Sequence, residues 1–214
     1  MSNLKKLQKT TDIEGDPLQP IYYVLVGLLV VFIGLMIYTT FFPSQIPIVG
    51  LEGNGNFKGN EDAKISIVEF SDFQCSACYS AYSTMKKISQ NYSDEVKITF
   101  RHFPLMSIHP FAKTAAEASE CAADQGKFWE MHDALFDNQD DLSLENITSI
   151  SSTLGLDSQK FNACLASGEK SKKVLGDYQY ALSIGLNSTP TIFVDGLKYS
   201  NLSYEKLQAL IESK

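Results

Sequence analysis

Positive charge is scarce in this chain. Eighteen Lys and Arg stand against 25 Asp and Glu, giving a net charge of −7 over 214 residues. Nucleic-acid binding rests on Lys and Arg neutralising phosphates, so this balance argues against a nucleic-acid partner. Histidine is rarer still, with three residues, and cysteine is modest, with four. Only Cys75 and Cys78 stand at CxxC spacing. A structural zinc site would need a second pair at ligand spacing, and none is present. Internal repeats and low-complexity tracts are missing as well. From Pro17 to Leu51 there is no charged residue of either sign. What remains is ordinary: a hydrophobic content of 44% supports a real core, and the length fits one domain plus an appendage.

The uncharged stretch is the appendage. Residues 21–42 are dominated by Val, Leu, Ile, Phe and Tyr. As a helix they would reach about 33 Å, enough for a bilayer core of about 30 Å. Tyr22, Tyr23 and Tyr38 lie near its ends, where amphipathic rings prefer the membrane interface. A buried core helix is the weaker reading, because no polar face exists. The apolar run exceeds a signal-peptide core, and no small-x-small cleavage site follows it, so a retained anchor is expected. Lys5, Lys6 and Lys9 precede the span, and the next positive charge is Lys58. The positive-inside rule then makes residues 1–20 a cytoplasmic segment of a single-pass cell-membrane protein, with everything beyond the span extracytoplasmic. That compartment permits stable disulfides. Residues 43–61, with Pro43, Pro47, Gly50, Gly53, Gly55 and Gly59, read as a linker. The folded domain is expected over residues 62–214.

That domain is organised around residues 65–78. Residues 65–70, ISIVEF, are short, apolar and β-branched, which predicts a core strand. Met85, Ile88 and Tyr92 follow at helical spacing, so a helix begins near Cys75. Two cysteines three apart at a helix start face one side and can form a disulfide. The helix's unpaired N–H groups favour a thiolate there, placing Cys75 as nucleophile and Cys78 as resolving thiol. Residues 96–103 predict a second strand, parallel to the first across a βαβ unit. From about 110 to 184 the pattern is helical, with segments at 111–122, 128–136, 146–154, 158–166 and 169–184 and stops at Gly155 and Gly168. Strands return at 191–194 and 198–199 around the hairpin signal Asp195-Gly196, and a helix over 204–213 closes the chain.

The order strand, CxxC helix, strand, helical insertion, Thr-Pro, hairpin, helix resembles the thioredoxin fold in its DsbA-like form, the thiol:disulfide oxidoreductases of bacterial and archaeal envelopes. The resemblance covers roughly residues 62–214. It rests on Val68 through Cys78, on Ala115 through Ala118 with Cys121 and Gln125 through Phe136, on Leu154 through Asp157 with Phe161 and Cys164, and on Gly185 with Ser188 through Gly196. The expected fold class is therefore α/β: a thioredoxin fold with an inserted helical domain, preceded by one transmembrane helix. One departure matters. Ser76-Ala77 stands between the cysteines where the best-known oxidants of the family carry Pro-His. The intervening residues tune thiolate stability, so strong oxidising power is not carried over.

The resemblance implies roles for further residues. Glu69, six residues before Cys75, matches a buried acid that relays a proton for the deeper cysteine; the other reading points it to solvent at a strand end. Thr189 and Pro190 match a cis-proline loop that offers the Thr189 backbone to an extended substrate; a plain turn proline is the alternative. Cys121 and Cys164 are implied as a structural disulfide, with two free thiols or a second redox pair left open. His102, His109 and His132 read as structural. Phe73, Tyr79 and Met106 either line an apolar groove or belong to the core. Asn91, Asn146, Asn187 and Asn201 begin N-x-S/T sequons, relevant only in a glycosylating host. The family implies a disulfide-forming enzyme acting on cysteine-containing exported or unfolded proteins. It implies reoxidation by a quinone-linked membrane partner of the DsbB-like or VKOR-like kind, and it requires no organic cofactor or metal. A reductase or isomerase of the same fold, a non-catalytic tethered peptide-binding module and a zinc module are the rival readings.

Overall fold

The computed structural model describes residues 19–41, 48–199 and 202–214. Most of the expected cytoplasmic segment, the first part of the expected linker and the Asn201 sequon lie outside the described residues. The chain divides into two units, Met1–Gln45 and Ile46–Lys214. The first contains α1 (Gln19–Phe41). Its stretch Ile21–Tyr38 has a mean hydropathy of 2.5 and is exposed along its length; it is long and apolar enough to cross a membrane.

The second unit is built on a five-stranded sheet in the order β1-β3-β2-β4-β5. Its strands are β1 (Asn56–Gly59), β2 (Ile65–Ser71), β3 (Val96–His102), β4 (Thr191–Val194) and β5 (Leu197–Tyr199). β2 and β3 are parallel, joined through α3 (Ser76–Asn91), in register from Ile65 opposite Val96 to Ser71 opposite His102. β4 runs antiparallel to β2, and β5 returns from it through Asp195 and Gly196, both at positive φ, as a two-residue hairpin requires. Between β3 and β4 lies the helical insertion: α4 (Ala112–Ala123), α5 (Phe128–Asp137), α6 (Leu144–Thr153), α7 (Ser158–Ser167) and α8 (Ser171–Ser183). α9 (Tyr204–Glu212) closes the unit.

Strand alternation divides the core. Ile65 and Ile67 pack with Met85 and Ile88 of α3 and Leu207 and Ile211 of α9. The opposite face of β2, Val68 and Phe70, packs with Leu51, Phe103 and Ala181. The insertion supplies its own cluster around Met131, Leu135, Phe136 and Phe161, which runs up to Phe73 and Cys78.

The linker reading needs correction over its later part. Residues 48–59 fold into the domain as α2 (Ile48–Glu52) and β1. Leu51 is fully buried, and β1 pairs antiparallel with β3. Trp129 of the insertion donates to Phe57 O at 2.9 Å. The glycines that mimic a flexible tether serve geometry instead. Gly59 sits at φ +89, and a Cβ there would stand 2.2 Å from Val96 O.

Candidate active site

All seven residues of β2 are buried. Because side chains alternate along a strand, Glu69 and Ser71 share the face of Ile65 and Ile67, toward α3. Asp72, with a fully buried side chain, ends the strand and anchors the loop that follows. It accepts from Gln74 N (2.7 Å) and Leu105 N (2.7 Å) and pairs with His109 Nδ1 (2.7 Å). One carboxylate thus ties the turn before the cysteines to the loop after β3. Gln139, just beyond α5, donates to Phe73 O (2.7 Å) and Cys75 O (3.0 Å).

This frame puts Cys75 at the N-cap of α3, with Cys78 and Tyr79 donating backbone N–H groups to Cys75 O. Both cysteines are free thiols. Cys75 is 9% exposed and Cys78 is fully buried. Across from them the Thr189–Pro190 peptide is cis, and Cys75 Sγ donates to Thr189 O at 3.7 Å. The two thiols differ sharply in acidity. The Cys78 thiol, with help from the Thr189 side chain and the N–H groups of Cys78 and Ala77, holds Cys75 down at about 5. Burial, reinforced by Cys75, pushes Cys78 far above the ordinary thiol value. The less buried sulfur, Cys75, is therefore a thiolate near neutral pH, and the fully buried one keeps its proton.

Glu69 is 3% exposed. Burial raises its pKa to about 7, moderated by the Ser71 hydroxyl and by Lys58. Lys58 reaches this region from β1, its ammonium 4.3 Å from the centre of the Trp129 ring; burial lowers its own pKa. Alongside the cysteines, a groove of about 630 Å³ is lined by Ala77, Ser80 and Thr84 of α3 and by Thr189, Pro190 and Tyr199. Cys121 of α4 and Cys164 of α7 are joined by a disulfide, Cα–Cα 5.9 Å.

The remaining sequence candidates separate. Phe73 is core, stacked on Phe100, whereas Tyr79 and Met106 are exposed. His102 pairs with Glu120 (2.8 Å) and His132 with Asp133 (2.9 Å), both buried among aromatic rings. Asn187 is exposed beside the Thr189 loop. Sequence reasoning missed Lys58, Ser71, Asp72 and Gln139. Ser71 was within reach, since alternation along the strand puts it with Glu69. Gln139 and Lys58 arrive through long-range packing and leave no local signal.

The thioredoxin family model matches residues 52–213. The chain belongs to the thioredoxin family. Among solved structures, the fold is similar to the thiol-disulfide exchange protein alpha-DsbA2 from Wolbachia pipientis, at TM-score 0.70 and 18% identity, covering 78% of this chain and 90% of that one. It is similar to BdbD from Bacillus subtilis, at TM-score 0.67 and 24% identity over 79% and 95%. The oxidoreductase MdbA from Actinomyces oris gives 0.65 and 20% over 80% and 94%. This is the DsbA-like thioredoxin fold with its helical insertion. Curated relatives share more sequence under a different name. The Na(+)/H(+) antiporter NhaA 1 of Mycolicibacterium vanbaalenii is 38% identical over 144 residues, 66% of this chain and 23% of that protein. NhaA 3 of Salinispora tropica is 35% identical over 157 residues, 73% of this chain and 24% of that protein. The chain spans less than a quarter of the length of these relatives, so an activity named for the whole of one is not carried over to this chain.

Proposed function

We propose that this protein is a membrane-anchored thiol:disulfide oxidoreductase of the extracytoplasmic side that forms disulfides in exported proteins through Cys75 and Cys78. One observation carries the reading: an acidified Cys75, the more exposed of the two thiols, paired with a fully buried, proton-retaining Cys78 against the cis Thr189–Pro190 loop. Stabilising the Cys75 thiolate stabilises the reduced form, which makes the disulfide form the stronger oxidant. The apolar α1, the lysines that precede it and the Cys121–Cys164 disulfide fit an anchored domain in an oxidising compartment.

In the oxidising direction a substrate thiolate attacks Cys75 Sγ and breaks the Cys75–Cys78 bond. Cys78 leaves and takes up a proton, whose source in this reading is the Glu69 carboxyl on the α3-facing side of β2. A second substrate thiolate then attacks the substrate sulfur of the mixed disulfide, expelling Cys75 as its stabilised thiolate. The substrate has lost two electrons and the enzyme has gained them. A quinone-linked membrane partner of the DsbB-like or VKOR-like kind returns the pair to the disulfide. The groove beside Thr189 receives the extended substrate segment, with Thr189 backbone groups available for strand-like pairing.

The test uses the oxidised full chain in detergent micelles with a reduced, unfolded dithiol protein. Transfer of the disulfide that is lost in Cys75→Ser, with a trapped mixed disulfide in Cys78→Ser, supports the reading. Unimpaired function of Cys75→Ser in cells would replace it with a tethered binding module.

A further inference from the structure

Five buried side-chain polar atoms among the described residues lack a hydrogen-bond partner: Glu69 Oε1, Ser71 Oγ, Thr99 Oγ1, His102 Nδ1 and Thr189 Oγ1. A buried polar atom left unpaired is destabilising, so each calls for an explanation. One of the five belongs to the acid, Glu69, and two others, Ser71 and Thr189, act on the cysteine pair. Ser71 is 1% exposed and, by strand alternation, shares the α3-facing side of β2 with Glu69. Glu69 answers to its burial, to Ser71 and to Lys58. Cys78 answers to its burial, to Cys75, to Ser71 and to Thr189. Ser71 is common to both. Its hydroxyl lies on the face of β2 that carries Glu69 and looks toward α3, whose first turn holds the buried Cys78, and it closes no hydrogen bond in the dithiol state.

We propose that the Ser71 hydroxyl is the relay that carries the proton between the Glu69 carboxyl and Cys78. This deepens the oxidoreductase reading and rests on it. When Cys78 is expelled from the disulfide, the Ser71 O–H passes its proton to Cys78 Sγ as Glu69 passes one to Ser71 Oγ. Ser71 ends unchanged, Cys78 ends as thiol, and Glu69 ends as carboxylate until solvent reprotonates it. The reverse path removes the Cys78 proton when Cys78 attacks a mixed disulfide at Cys75. A hydroxyl suits this task because it donates and accepts through one atom. The other candidates fit less well. Thr189 acts on both thiols but does not figure among the groups that set Glu69. His102, opposite Ser71 in the β2–β3 register, has its Nε2 committed to Glu120 at 2.8 Å. Lys58 faces Glu69 from β1 and adjusts its charge, and His132 is held neutral by burial, with Nδ1 on Asp133.

The experiment follows reduction of the oxidised full chain by glutathione in detergent micelles, with rapid acid quench and mass analysis. Wild type is compared with Ser71→Ala, Ser71→Val, Ser71→Thr, Glu69→Gln and the Glu69→Gln/Ser71→Ala double variant. Positioned proton transfer contributes roughly 10²–10⁴-fold, so Ser71→Ala and Ser71→Val should slow the step at least about tenfold. Ser71→Thr, with the shape of Val but a hydroxyl, should recover to within about threefold of wild type. The double variant should be no slower than Glu69→Gln, because both groups serve one route. Rates for Ser71→Ala and Ser71→Val within about twofold of wild type, or losses that multiply in the double variant, would overturn the relay. If wild type itself does not exchange with glutathione, the oxidoreductase reading fails instead.

Discussion

Replacing Glu69 by Gln removes one titrating group from the middle of the sheet, and its effect on stability has a sign and a size. The folded-state pKa is about 7, raised mainly by burial from an unperturbed 4.5. Below about pH 4.5 the carboxyl is neutral in both folded and unfolded chains, and it costs nothing through ionisation. Between 4.5 and 7 the folded chain holds a proton that the unfolded chain has released, so wild-type stability falls as pH rises. Above 7 the loss levels off. The full excursion corresponds to about 3 kcal/mol, and with the residue only 3% exposed solvent screening offers little relief. Gln carries no charge at any pH, so whatever its amide costs in this site is constant. Urea denaturation of the reduced full chain, wild type against Glu69→Gln, should therefore show a difference between pH 4 and pH 8 of about 3 kcal/mol in favour of Gln at the higher pH. Cys75 titrates in both proteins, so its contribution cancels. A stability difference that is the same at pH 4 and pH 8 would mean that the carboxyl is solvated, and the argument for Glu69 as a near-neutral proton donor would go with it.

Other perturbations address other parts of the frame. Replacing Cys121 and Cys164 by Ala opens a loop of 43 residues and should cost roughly 4 kcal/mol in the chain-entropy treatment, while glutathione exchange at Cys75 is unchanged; lost exchange would mark the bridge as a second redox pair. With the Cys75 pKa at about 5, iodoacetamide alkylation of the reduced protein should be nearly flat from pH 6 to 8 and fall below pH 5. In Cys78→Ala, which removes the first cause of that acidity, the curve should move to higher pH; an ordinary thiol profile in wild type would refute the assignment. Gln139→Ala deletes two hydrogen bonds to the loop that carries Cys75 and should lower the denaturation midpoint by about 1–2 kcal/mol of stability; no change would show that Asp72 alone holds the loop.

Much of this architecture is written locally. The β-branched run before Glu69, the Asp195-Gly196 step and the helical stripes of the insertion each carry their own period or turn chemistry, and their observed bounds fall within a few residues of those the sequence predicts. The cysteine pair was legible for the same reason, since CxxC between a strand and a helix is a short-range pattern. The linker misled because composition and geometry use the same residues. Gly53 and Gly59 occupy positive-φ positions, and the stretch gains its order from distant partners, β3 and Trp129, that no local window contains. The supports of the site were hidden likewise. Asp72 and Gln74 look like loop residues until His109, Leu105 and Phe111 fold back onto them.

The most direct test of the account is the equilibrium of the Cys75–Cys78 pair against a glutathione redox series, read in the full chain. An acidified Cys75 beside a fully buried, proton-retaining Cys78 predicts a potential well above about −180 mV, on the oxidising side of protein disulfide isomerase. A value near about −270 mV, where thioredoxin lies, would contradict a disulfide-forming role and point to a reductant that needs an electron donor.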